Sequence, residues 1–257
     1  MMLNMKFFNV YYFCHLANIS VGTHDYSPKY GDFVDGQYSD NALVEDFPRI
    51  SVLRDYCFWL VEDVIAEQAD LMAQDLSYDF NPFEWIVQAI CKYRDIHISY
   101  DEWQKKYIFP KDCNDYLDIF YQFTEFLNEE NDNIYDAVIE CIALEIEHIL
   151  FQNREFLFKL NETIASVFEN ESRPRVYIPE WVKRSVLFRD KGCCVFCKKD
   201  LTGLYTLLED NQKQFDHIVP LANGGINDVC NIQLVCQQCN LRKKAISSTN
   251  TSYQSVY

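Results

Sequence analysis

The chain has 257 residues, of which 49% are hydrophobic and 24% are charged, and its net charge is −16. This hydrophobic content is enough for a buried core, and the length fits two domains. No apolar run approaches about 18 residues, which excludes a membrane-spanning helix, and the opening residues lack the compact apolar stretch of a signal peptide.

Charge divides the chain into two parts. From residue 173 onward there are 12 Lys and Arg against 7 Asp and Glu, a balance of +5, while residues 1–172 hold 11 against 32, a balance of −21. A separation this sharp predicts two units with different partners. We expect an acidic, mainly helical domain over residues 1–172 and a second domain over residues 173–257.

The first part has the pattern of packed helices. Glycine is absent between Gly36 and Gly192, and apolar residues recur at helical spacing. The predicted helices cover residues 51–72, 82–94, 112–131 and 133–168, the last as one long helix or two. Residues 6–13 could form a strand. This part contains no phosphate-binding glycine loop and only isolated histidines, so its role stays open between regulation, partner binding and dimerisation.

A short helix is predicted at the start of the second part, over residues 180–190. Its sequence suggests an apolar face and a cationic face. The residues expected to point inward are Trp181, Val182, Val186 and Leu187, and those expected to point outward are Lys183, Arg184 and Arg189.

Six of the eleven cysteines lie in the last third of the chain. Four of them form two Cys-x-x-Cys pairs, Cys194 with Cys197 and Cys236 with Cys239, and two such pairs complete the tetrahedral shell of a structural Zn²⁺. The other cysteines lack this spacing. A metal site with scattered single thiols favours a reducing compartment, so we expect a cytoplasmic protein.

The segment between the two pairs predicts two strands and a helix. Residues 214–220 read as a strand, residues 221–228 as a loop with Gly224 and Gly225, and residues 231–235 as a second strand that leads into a helix over residues 239–246. Zinc would clamp the ends of this unit together. With the helical first part, the predicted fold class is α+β.

Four polar residues lie within this frame: Asp216 and His217 on the first strand, Asn231 at the start of the second, and Asn240 on the helix. This pattern, over about residues 179–245, resembles the HNH endonucleases of the ββα-metal superfamily. The third position of the motif, often His in that family, is Asn240 here. Four-cysteine clamps are also common among these proteins.

The resemblance implies a metal-dependent endonuclease that hydrolyses phosphodiester bonds, with duplex DNA as the expected substrate. A neutral His217 would accept the proton of the attacking water, and Asp216 and Asn240 would bind one Mg²⁺ or Mn²⁺. Asn231 would hold the loop and orient His217. The remaining expectation is that the cationic run Arg242–Lys244 faces outward and binds phosphates.

Two alternatives stay open. The second part could be a catalytically inactive, zinc-clamped nucleic-acid-binding module, although all four motif residues are present. The acidic helical part could instead be the main functional element, as an adaptor for a protein partner or a homodimer, with the nuclease as its effector in a bacterial defence or restriction system. This last interpretation rests on analogy of architecture.

Overall fold

A computed structural model of the protein describes residues 5–22, 33, 45–74, 76–106, 116–130, 132–167, 172–203 and 213–250. The helices within these ranges are α1 (Val10–Gly22), α2 (Val52–Ala73), α3 (Pro82–Arg94), α4 (Tyr100–Lys106), α5 (Tyr116–Glu130), α6 (Ile134–Leu150), α7 (Arg154–Val167), α8 (Glu180–Arg189) and α9 (Gln237–Lys243). Strands β1 (Lys213–His217) and β2 (Ile232–Cys236) form a two-stranded antiparallel sheet. The predicted α+β class is confirmed.

Two of the helices begin at asparagine caps. The side chain of Asn81 accepts hydrogen bonds from the backbone N–H of Phe83 and Glu84, and Pro82 occupies the first position of α3. The segment 133–168, predicted as one helix or two, forms α6 and α7. The break occurs at Asn153, whose side chain accepts a hydrogen bond from the N–H of Phe156 at 3.1 Å and so caps the second helix.

Residues 6–13 do not form the strand that their sequence allowed. Phe7 and Asn9 both have a positive φ of 53°, and α1 begins at Val10. The backbone N–H of Phe7 donates to the carboxylate of Glu145 at 2.8 Å. A buried side chain therefore satisfies the backbone group that a neighbouring strand would otherwise pair.

The chain forms two compact units, Met1–Cys14 with Tyr56–Glu147, and His15–Asp55 with His148–Tyr257. The first unit is helical in its described residues, and aromatic rings fill part of its core. Phe83 lies 4.4 Å from Tyr100 and Trp103 lies 4.9 Å from Phe123, both measured between ring centroids. Such contacts add to the free energy of burying the rings.

The second unit contains the whole predicted domain 173–257, together with residues that precede position 173. Its core forms around α8 and β2, and every residue of β2 is buried. The core residues are Phe47, Ile178, Val182, Val186, Cys194, Val195, Leu201, Val229, Ile232, Leu234, Val235, Cys236 and Cys239. That residues 173–257 are an independent domain stays a prediction.

The outward orientation predicted for Arg189 is wrong. Its guanidinium is buried, donates to the carboxylate of Asp190 at 2.9 Å and to the backbone carbonyl of Ile232 at 2.6 Å. The same carboxylate accepts the N–H of Leu234. The buried ion pair therefore connects the end of α8 to β2, a use of arginine that helical periodicity does not reveal.

No helix in the described ranges is long and apolar enough to cross a bilayer.

Candidate active site and cysteine cluster

The four cysteines of the two Cys-x-x-Cys pairs come together in the second unit. The sulfur atoms of Cys194, Cys197, Cys236 and Cys239 all lie within 4.8 Å of one another. The Sγ atoms of Cys197 and Cys236 are 3.8 Å apart, which is about the edge of a tetrahedron built on Zn–S bonds of about 2.3 Å. Both the donor set and its spacing suit a structural zinc ion.

Local backbone geometry positions each pair. Cys236 ends β2 and caps α9, so that its sulfur accepts the N–H of Cys239 at 3.4 Å. The first pair lies on a turn in which Val195 donates its N–H to the carbonyl of Leu234 on β2 at 2.9 Å. The two turns are thus joined through the sheet.

The thiol of Cys239 requires a cation to ionise. Burial, with smaller contributions from the neighbouring cysteines, raises the pKa of the Cys239 thiol to about 12. A bound divalent cation deprotonates coordinating thiols outright. Arg242 also donates a hydrogen bond to the sulfur of Cys239 at 3.2 Å, which favours the thiolate.

The loop between the strands is held by Asn231. Its buried side chain accepts the N–H of Val219 at 2.9 Å and donates to the carbonyls of Val219 and Ile226 at 3.0 and 2.9 Å. Gly225 permits this closure, because a Cβ atom there would lie 2.0 Å from the carbonyl oxygen of Val219. Gly224 takes a φ of 81°. The loop is therefore closed onto the end of β1.

His217, the last residue of β1, is buried, with its ring against Asn227. The Nε2 atom of His217 lies 3.0 Å from Oδ1 of Asn227. The amide nitrogen of Asn227 donates to Asp46 at 2.7 Å and to the carbonyl of Pro174 at 3.1 Å. These two acceptors fix the amide orientation, so Oδ1 faces the imidazole and can only accept.

The tautomer of His217 follows from that contact. Nε2 must carry the proton that Asn227 accepts, and in the neutral ring this leaves Nδ1 with its lone pair. Burial lowers the pKa of His217, and this outweighs the opposing effects of the Asn227 hydrogen bond and the Asp216 carboxylate. The imidazole is therefore neutral near pH 7, with Nδ1 as its acceptor.

Asp216 is directed towards α9. Its Oδ2 atom lies 3.0 Å from Nζ of Lys243 and accepts the side-chain amide of Gln233, its partner in the sheet register, at 3.3 Å. Lys243 also donates to the backbone carbonyl of His217 at 2.8 Å. One ammonium group thus contacts both motif residues of β1.

The outward orientation predicted for Lys243 is therefore wrong. This residue is buried because the seven-residue helix α9 packs against both strands, and that face of the helix meets the carboxylate of Asp216. Arg242 and Lys244 are exposed, as expected. Asn240 is half-buried and lies three residues before Lys243, which places it on the face of α9 that meets β1.

Two supporting residues were missed in the sequence. Asn227 orients the imidazole, and Asp46, in the part of the chain where no chemistry was expected, orients Asn227. The loop sequence Gly-Gly-Ile-Asn-Asp contained a local signal for Asn227, since a polar residue after a tight glycine turn often makes a fixed contact. Asp46 had no such signal, because 181 positions separate it from its partner.

A family model described as HNH endonuclease matches residues 194–245. The match includes the four clustered cysteines and the motif residues Asp216, His217, Asn231 and Asn240. A search of curated proteins and a search of solved structures each found no match. The C-terminal third of this chain is thus similar to HNH endonuclease domains, and it contains a four-cysteine cluster that could form a zinc site.

Proposed function

We propose that the protein is a metal-dependent endonuclease that hydrolyses phosphodiester bonds in duplex DNA. The observation that supports this most directly is the hydrogen bond from Nε2 of His217 to Asn227. It leaves Nδ1 of a neutral imidazole as a proton acceptor, beside a carboxylate and within a segment that matches a nuclease family.

His217 is the general base of this proposal. A base that works near neutral pH must be unprotonated there, and burial lowers the pKa of this histidine. Nδ1 would take a proton from the attacking water. The charge that then develops on the ring would be stabilised by Asn227, which accepts the Nε2 proton, and by the Asp216 carboxylate.

Asp216 and Asn240 are the proposed ligands of a divalent cation. One carboxylate and one amide oxygen fit a hard ion such as Mg²⁺ or Mn²⁺, which retains several water ligands. When bound, the cation would neutralise charge on the phosphate and stabilise the leaving oxygen. Lys243 holds the Asp216 carboxylate in place through the 3.0 Å contact.

Asn231 would act indirectly, through the loop and not on the reacting groups. Its three hydrogen bonds close the loop that carries Asn227, so it supports the residue that orients His217. Arg242 and Lys244 would contact the DNA backbone from the exposed side of α9. Contacts with phosphates confer affinity without sequence preference, so we expect little base specificity from this helix.

The test is cleavage of supercoiled plasmid by the full-length protein. We expect nicked or linear products with Mg²⁺ or Mn²⁺, none with EDTA, and a loss of about 10² to 10⁴ in rate for His217→Gln. Asn223→Ala, which removes a loop hydrogen bond to the carbonyl of Ala245, is the matched control and should retain cleavage.

Two outcomes would contradict the proposal. Turnover by His217→Gln at the wild-type rate would exclude this histidine as the base. Saturable DNA binding without cleavage under any divalent metal would favour the catalytically inactive binding module. Cleavage of RNA in preference to the plasmid would keep the mechanism but change the substrate.

A further inference from the structure

A glutamine occupies a fully buried position in the middle of β2. Gln233 has no exposed surface, and it pairs with Asp216 in the sheet register. Residues paired in this way on antiparallel strands have their side chains on the same face of the sheet. Burying a polar side chain costs free energy that an apolar residue would not cost, unless hydrogen bonds compensate. The contacts of this amide therefore show what the residue does.

The amide nitrogen of Gln233 makes two hydrogen bonds. Nε2 donates to Oδ2 of Asp216 at 3.3 Å and to the backbone carbonyl of Ser248 at 2.9 Å. Because both partners are acceptors, they fix the orientation of the amide. The Oε1 atom is buried and has no hydrogen-bond partner among the described residues, which is destabilising. A glutamine here is therefore not the choice that stability alone would favour.

Asp216 is held from two elements at one oxygen. Lys243 of α9 and Gln233 of β2 both contact Oδ2, at 3.0 and 3.3 Å. Oδ1 accepts no hydrogen bond from the described part of the chain, and the side chain is 17% exposed. Two donors on one oxygen restrict the rotation of the carboxylate more than one donor would. The remaining oxygen is thereby kept available for another partner.

The second acceptor of Gln233 belongs to residues 245–250, which follow α9. This segment is itself held in place, since the N–H of Ser248 donates to the carbonyl of Ile218 at 3.2 Å. The buried side chain of Arg154 donates from Nε to the carbonyl of Asn250 at 3.0 Å. The carbonyl of Ser248 is thus a fixed point, and Gln233 connects it to the carboxylate of Asp216.

We propose that Gln233 is a positioning residue of the nuclease site, which holds the Asp216 carboxylate in the orientation that binds the divalent cation. This inference rests on the proposed function, in which Asp216 is a metal ligand. Hydrogen bonds that orient a ligating side chain typically change metal affinity by about 10- to 100-fold. The opposing interpretation is that Gln233 only joins residues 245–250 to the sheet.

The first experiment is a titration of the full-length, zinc-loaded protein with Mn²⁺, followed by electron paramagnetic resonance in the absence of DNA. Gln233→Met keeps the length of the side chain and removes the amide. We expect Mn²⁺ affinity to fall by about 10- to 100-fold. The melting temperature should stay close to that of the wild type, because the substitution also removes the unpartnered Oε1 atom.

Gln237→Met is the matched control. Gln237 is exposed at the start of α9, so the same change of side chain should leave Mn²⁺ affinity unchanged. Ser248→Pro is a second variant, which removes the N–H that donates to Ile218 but leaves β2 intact. Its Mn²⁺ affinity should lie between those of the other two variants. This variant keeps the inference testable if Gln233→Met does not fold.

The outcomes separate this inference from the proposed nuclease. Unchanged Mn²⁺ affinity with a lowered melting temperature in Gln233→Met would show that Gln233 only stabilises the fold, and would overturn its positioning role. Absence of Mn²⁺ binding by folded wild-type protein would contradict the proposed metal site and this role with it. Weakened Mn²⁺ binding by Gln233→Met, in a wild-type background that cleaves no DNA, would support the role of Gln233 and contradict the nuclease.

Discussion

Lys243 illustrates how neighbouring residues with the same charge can differ in role. Its ammonium group is buried between the Asp216 carboxylate and the His217 carbonyl, while the next residue, Lys244, is exposed. A buried ion pair positions its partners, whereas an exposed cation mainly attracts phosphates. The two lysines therefore give matched substitutions with opposite expected effects.

Lys243→Met should lower both cleavage and stability, because it leaves the Asp216 carboxylate without its counter-ion. Loss of one partner of a buried pair costs about 3–5 kcal/mol. Lys244→Gln should change the free energy of unfolding by no more than about 0.5 kcal/mol. It should weaken DNA binding and reduce the slope of log affinity against log salt concentration by about one. Urea unfolding and binding at several salt concentrations measure these effects. Equal effects of the two substitutions would argue against the buried role of Lys243.

Asn227→Ala should lower the cleavage rate by about 10- to 100-fold, because the imidazole of His217 loses the acceptor that selects its tautomer. Nitrogen-15 NMR of the imidazole reports the protonated nitrogen directly. We expect Nε2–H to dominate in the wild type and a mixture of tautomers in the variant. An unchanged tautomer in the variant would show that another group orients the ring. Asn223→Ala, in the same loop, is the control.

At the scale of elements, the cysteine cluster and the motif share the sheet and α9. β2 ends at Cys236, and the helix that follows carries Cys239, Asn240 and Lys243 within seven residues. A helix this short has little stability of its own. Its position therefore depends on the cysteine cluster at its start and on the Lys243 ion pair at its end.

Cys236→Ser should remove bound zinc and unfold the hairpin and α9, since zinc binding at such sites is coupled to folding by about 10 kcal/mol or more. Cys193→Ser is the control, because this cysteine lies outside the cluster. Asn240→Ala should keep zinc and lose only metal-dependent cleavage. Elemental analysis and thermal melting distinguish the three variants. A normal melting transition for Cys236→Ser would contradict a structural zinc.

At the scale of the whole molecule, residues that are distant in sequence complete the unit that contains the motif. Backbone N–H groups of Phe47 and Val52 donate to the carbonyl of Asn227 and the carboxylate of Asp228 at 2.7 and 3.0 Å. The side chain of Asn161 in α7 donates to the carbonyl of Cys230 at 3.2 Å. All three contacts lie within the second compact unit.

A fragment of residues 173–257 should therefore be less stable than the full chain, even with zinc bound. It would leave the buried carboxylate of Asp228 and the carbonyl of Cys230 without these partners, at about 1–3 kcal/mol for each group. The urea midpoint of the zinc-loaded fragment measures this. The urea midpoint of a longer fragment that includes α7, residues 148–257, should lie between that of the shorter fragment and that of the full chain. An equal midpoint for all three would show that the segment folds independently, as the charge pattern predicts.

The sequence by itself determined the local features: the cysteine ligands, the α+β class, most helix positions, and the four motif residues. These depend on short spacings, such as Cys-x-x-Cys and the three-to-four repeat of a helix, that local geometry translates into structure. Only the tertiary structure decided that Lys243 and Arg189 are buried, that Asn227 orients His217, and that Asp46 orients Asn227. The physical reason is distance along the chain: a buried charge or amide is stabilised by whichever group packing brings to it, and that group can lie 181 residues away.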